Sequence, residues 1–108
     1  MILKNITSDG STSTTVTTVV GRNPGKPNNR TGFRAMTISN NHASNLPVIS
    51  INLYDGTNVF YICQNVKIPY GATLLFDNSS ILNYDINRYM MRVSATGTAN
   101  QDLTVIIK

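Results

Sequence analysis

Read for hydrophobic and polar alternation, the chain is a series of short runs of period two separated by turn residues. Val48–Tyr54 sets Ile49, Ile51 and Leu53 against Ser50 and Asn52, the mark of a strand with one buried face. Asp55-Gly56 follows, and Val59-Phe60-Tyr61-Ile62-Cys63 begins the next apolar run. An Asp-Gly pair between two such runs is the strongest short-range hairpin signal. The two segments are therefore predicted to pair through a two-residue turn, with Phe60, Ile62, Val66 and Ile68 on the buried side of the return strand. Thr14–Val20 (TTVTTVV) is β-branched throughout, which stiffens χ1 and favours a strand over a helix.

The same pattern predicts strands at residues 2–6, 32–40, 73–77, 81–84, 89–95 and 103–107. In 32–40, Phe33 and Ala35 take one face and Met36 and Ile38 the other. In 89–95, Tyr89, Met91 and Val93 point one way, while Arg88, Met90 and Arg92 point the other. Between them fall a polar turn at 7–12 around Asp9-Gly10, a Gly/Pro-rich loop at 21–29 (GRNPGKPNN), and connections at 41–47, 69–71, 85–87 and 96–102. Eight or nine short strands with no segment of helical period imply an all-β chain. The expected container is a single β-sandwich domain spanning residues 1–108, of about eight short antiparallel strands, with the jelly roll as one way of connecting them. Residues 1–30 could form a partly extended N-terminal arm and loop.

Composition sharpens this picture. There is no Glu and no Trp, and Asn, Thr and Ser (14, 13 and 9) make up a third of the 108 residues. Helix surfaces are built from Glu, Lys, Ala and Leu, so the scarcity supports strands and tight turns. All five acids are Asp, at 9, 55, 77, 85 and 102, each beside a turn or strand end. No apolar run approaches the roughly 18–20 residues needed to cross a bilayer, so no membrane partner is expected. The first residues lack the apolar core of a secretory signal, which points to synthesis in a reducing compartment.

The chemistry that remains is sparse. One cysteine, Cys63, gives neither an internal disulfide nor a cysteine-based zinc site. The single histidine, His42, lies in a polar connection, where a solvated side chain is the simpler reading than a general base. Asp77 and Asp85 sit where turns favour Asp, so a catalytic carboxylate pair is not expected. Gly21-Arg22-Asn23-Pro24-Gly25-Lys26 lacks the Gly-Lys-Ser/Thr ending of a phosphate loop. A net charge of +4 is weak for a groove that tracks phosphates, so nucleic acid is not the expected partner. The sequence implies no enzyme, no cofactor and no metal. Its distinctive surface is a loose basic group (Arg22, Lys26, Arg30, Arg34) and two apolar-tinged outer strand faces, one with Tyr61, the other with Arg88, Met90 and Arg92. These eight residues are the expected partner contacts.

Residues 49–75 (ISINLYDGTNVFYICQNVKIPYGATLL) carry Asp55-Gly56, Phe60-Tyr61, Ile68-Pro69-Tyr70-Gly71 and Leu74, and Arg92-Val93-Ser94-Ala95 follows downstream. Over residues 33–108 this arrangement resembles small β-sandwich virion structural proteins of tailed phages, of the cyanophage kind. The resemblance implies a non-enzymatic virion component made in the host cytoplasm. Its role would be capsid decoration (cement), bridging neighbouring subunits, or that of a neck or tail accessory subunit. Other virion proteins would be its partners, with homo-oligomerisation expected. The competing class is a tail-tip carbohydrate-binding module that stacks sugars on Tyr54, Tyr61, Tyr70, Tyr84 and Tyr89.

Overall fold

Eight strands and one helical turn follow one another along the chain in a computed structural model that describes residues 1–7, 14–41, 47–96 and 102–108. They are β1 (Ile2–Thr7), β2 (Thr14–Val20), β3 (Met36–Asn40), β4 (Val48–Tyr54), β5 (Val59–Lys67), β6 (Thr73–Phe76), α1 (Ser79–Leu82), β7 (Met90–Thr96) and β8 (Asp102–Ile107). Two four-stranded antiparallel sheets result, ordered β1-β8-β3-β6 (sheet A) and β2-β7-β4-β5 (sheet B). The pairs β4·β5, β3·β6, β2·β7 and β1·β8 are nested, and strands alternate between sheets everywhere except at the β4–β5 hairpin. That is a β-sandwich with jelly-roll connectivity: one long hairpin rolled into two layers. The N-terminal strands, where an extended arm was allowed, lie at sheet edges, with β1 on β8 and β2 on β7.

Period two does the work of building the core. Met36 and Ile38 of β3, Leu103, Val105 and Ile107 of β8 and Ile6 of β1 face inward from sheet A. Ile49 and Ile51 of β4, Met91, Val93 and Ala95 of β7 and Val19 and Val20 of β2 meet them from sheet B. Ile68, Leu82 and Tyr84, from the connections, complete the core. Among the described residues one polar side chain, that of Asn40, is fully buried on an inward face. Asn40 donates from Nδ2 to the Ile68 carbonyl (2.9 Å), while its own carbonyl accepts from Gly71 N (2.9 Å). The side chain thus pins the turn in which Gly71 takes φ +74, a left-handed conformation that favours glycine.

The β4–β5 hairpin forms as expected, but its loop is four residues, 55–58, because Tyr54 pairs with Val59. Asp55 explains the longer loop. Its Oδ1 accepts from the backbone N–H of Thr57 (2.9 Å) and Asn58 (2.7 Å), an Asx-type turn that replaces the two-residue form. These bonds hold the Asp55 carboxyl below its usual range.

Three further expectations are corrected. Residues 81–84 are not a strand: Asn78 caps α1, its Oδ1 accepting from Ser80 N (3.1 Å), so Ile81 and Leu82 complete a helical turn. The strand expected from residue 32 begins at Met36. Gly32 has φ +76, and Phe33 packs on the core edge-on to Tyr84 (ring centroids 6.5 Å apart), whereas Ala35 lines the outer face. Phe60 is 51% exposed rather than buried, because β5 is an edge strand with nothing beyond it to cover that side. The turns expected around 7–12, 41–47 and 96–102, with Asp9 and His42, fall mainly or wholly outside the described residues.

Tyr84 itself yields a test. Its hydroxyl is buried with no hydrogen-bond partner among the described residues, and burial pushes the phenol well above its usual range. Removing an unsatisfied buried hydroxyl relieves a desolvation cost, so Tyr84→Phe should raise stability by about 1 kcal/mol in a urea melt. A comparable loss would mean that the hydroxyl is bonded after all.

Candidate interaction faces

In a two-layer sandwich each sheet has a second face, and here these faces carry the side chains that the core does not use. On sheet A, the register places Leu3, Ile106, Thr37 and Leu75 side by side across all four strands. Leu3 is 61% and Leu75 60% exposed. Ala35, Thr37, Leu75, Ile106 and Lys108 enclose a shallow depression of about 190 Å³. The next row, Asn5, Thr104, Ser39 and Thr73, is polar and bonded sideways within itself. Thr104 Oγ1 donates to Asn5 Oδ1 (3.1 Å), and the hydroxyls of Ser39 and Thr73 are 2.9 Å apart. The polar row is satisfied by its neighbours, while the apolar row has no cover within the described chain.

Sequence reasoning missed this face, although a signal for it exists. Thr73-Leu74-Leu75-Phe76 and Val105-Ile106-Ile107 hold three consecutive apolar residues, so both faces of those strands must be apolar.

On sheet B the outer face is mixed: exposed Val16, Val59 and Tyr61 stand beside polar side chains and the cations Arg92 and Lys67. Register aligns Thr18, Arg92, Asn52 and Tyr61 across the four strands. Arg92 Nε donates to Asn52 Oδ1 (3.0 Å), and the guanidinium carbon lies 3.9 Å from the Tyr54 ring centroid. Asn52 is only 4% exposed, whereas Tyr61 is 53% exposed. Met90, half-buried on the same face, accepts a long bond from Thr18 Oγ1 to Sδ (3.8 Å).

The expected contact residues therefore divide. Tyr61, Met90 and Arg92 share the sheet B face. Arg88 belongs instead to the turn before β7, stacks at 5.5 Å on the Tyr89 ring and feels the charge of Asp55. In the basic group, Arg22 Nη2 donates to the Asn87 carbonyl (3.4 Å), Arg30 Nη1 to the Asn83 carbonyl (3.2 Å), and Lys26 to the Arg30 carbonyl. These three side chains tie the 21–31 loop to itself and to residues 83–87, which the backbone bonds Asn23 N to Ile86 O and Thr31 N to Tyr84 O also hold. Arg34 is exposed, and its backbone N–H donates to the Lys108 carbonyl (2.7 Å).

Covalent chemistry finds little support. Cys63 is half-buried, and burial pushes its thiol above the usual value, away from the reactive thiolate at neutral pH. Among the described residues no three of His, Cys, Asp or Glu come together to hold a metal, and no helix is long and apolar enough to cross a membrane. No protein-family model and no curated protein matches this sequence.

Proposed function

We propose that the chain is a non-enzymatic structural protein of a phage virion, a capsid decoration protein that bridges neighbouring subunits. The observation that carries this reading is the apolar row on the outer face of sheet A. A sandwich needs one buried face per sheet, and a chain so rich in Thr, Ser and Asn has ample polar residues for the other. Leucines at both margins of the sheet, with an apolar depression beside Leu75, are the composition of a contact surface.

Size then argues for a lattice. Four strands about 4.8 Å apart and some five residues long present a few hundred Å², well below the roughly 800 Å² per partner of a standard stable interface. One such contact is weak. Repeated on a symmetric shell, and combined with a second contact on the same molecule, it becomes strong through effective concentration. The five tyrosines offer less to a carbohydrate-binding alternative: Tyr84 is buried, Tyr54 lies against Arg92, and Tyr89 packs edge-on to Phe60.

Electron microscopy of particles carrying an epitope-tagged chain tests the reading. Label at regular positions over the head is expected. Label confined to the neck or tail would replace decoration with an accessory role there, and purified particles without the chain would overturn the virion assignment.

A further inference from the structure

We infer that the outer face of sheet B holds a carboxylate-binding site centred on Arg92, and that its occupant is an acidic side chain of a partner protein. The identity of that partner as a virion subunit rests on the function proposed above; the site itself does not.

Arg92 is held by two neighbours on β4. The Asn52 amide oxygen accepts from Nε, and the guanidinium carbon lies over the Tyr54 ring. The two η-nitrogens have no partner among the described residues. That leaves open the edge whose two parallel N–H groups match a carboxylate, in a side chain already ordered by its neighbours. A solvated surface arginine needs no buried amide to orient it, yet Asn52 is nearly inaccessible beneath this one.

Charge points to the occupant. The residues whose register sets them on this face, from Thr18, Ser50, Asn52 and Tyr54 to Val59, Tyr61, Lys67, Met90 and Ser94, include no acid. Three of the five aspartates have described side chains, and these are placed elsewhere. Asp55 accepts from Thr57 and Asn58 and faces Arg88, Asp85 accepts from Asn87 N (3.0 Å), and Asp77 follows β6 of the other sheet. Tyr61 and Val59, both exposed, lie one strand beyond Asn52 and Tyr54 on the same face and offer a partner apolar surface beside the arginine's two supports. The molecule then has an apolar face on sheet A and an anion-selective face on sheet B, on opposite sides of the sandwich. Two unlike surfaces on opposite sides suit a subunit that bridges two different partners.

The test uses the purified chain and a blocked Gly-Asp-Gly tripeptide, followed by NMR. Saturable shifts of the Arg92 Nε–H and the Tyr54 and Tyr61 rings are expected, weakening as salt rises. A Gly-Asn-Gly control should bind at least about tenfold more weakly, since it lacks the charge-assisted pair. Arg92→Gln should abolish the shifts. Arg92→Lys should weaken binding about fivefold or more, because it keeps the charge and loses the fork. Tyr54→Leu, which leaves the arginine in place, serves as the second variant should Arg92→Gln not fold, and should also weaken binding. Equal binding of the Asn peptide, unchanged binding by Arg92→Lys, or shifts confined to the 21–31 loop would overturn the site. Binding of D-glucuronate at least about tenfold tighter than the peptide would replace the protein partner with an acidic sugar. Because no particle is involved, failure here leaves the decoration reading standing, and peptide binding by a chain absent from particles sinks only the latter.

Discussion

Ile38→Ala is expected to cost about 2–5 kcal/mol and to lower the melting temperature by roughly 10–20 °C. Ile38 is fully buried on β3, between Val105 of β8 and Leu74 of β6 in the register of sheet A. Truncation removes three carbons of transfer free energy and leaves a cavity that two flanking strands, fixed by their ladders, cannot close. A chain of this size has of order 5–15 kcal/mol of stability to lose, so the variant should lose a large share of its margin at 25 °C and fail early on heating. Thermal and urea melts read the effect. A loss below about 1 kcal/mol would show that the two sheets can slide together over the gap.

Leu75→Glu should do the opposite, separating binding from stability. Leu75 faces outward from the short edge strand β6, so exchanging it should change the melt by only a few tenths to 1 kcal/mol. Burying a leucine against a partner contributes about 1.5–3 kcal/mol, which is roughly a ten- to hundredfold loss per contact when it is removed. The substituted carboxylate would also have to be desolvated, and the deficit is repeated at every lattice position. Occupancy on particles, measured by quantitative gel or microscopy, should fall by more than about tenfold. Thr73→Glu, one row along in the polar band, should fall far less. Full occupancy with Leu75→Glu would remove the sheet A face from the interface, and a collapse of the melting temperature would place Leu75 in the core.

How much of this was legible in the sequence depends on how local the cause is. Alternation at Val48–Tyr54 and the hairpin after it rest on neighbouring residues, and both are found in the structure. Residues 81–84 read as a strand because Ile81 and Leu82 look alike in a strand and in a single helical turn; the deciding group is the Asn78 side chain, three residues before Ile81. Phe60 shows a different limit. Alternation identifies the side of a strand but not whether another element covers it, and β5 ends its sheet. The partner faces depend on the sheet order itself. Nothing local says that Leu3 and Leu75, far apart in the chain, will share a row. Charge at Arg22, Lys26 and Arg30 was visible, but the backbone carbonyls that absorb it were not.

The nested pairing also fixes when each part of the protein can form during synthesis. Sheet B can build its central hairpin as soon as β5 has been made. In sheet A β3 can pair with β6, but among the described strands β1 pairs only with β8, so the sheet is completed only when the far end of the sequence has been made. At ribosomal rates of about 5–20 residues per second, β1 spends roughly 5–20 s without a strand to pair with. An unpaired apolar strand is an aggregation hazard over that interval, and a charge within it is the usual safeguard. Lys4, exposed in the middle of Ile2–Thr7, stands where such a gatekeeper would have to be.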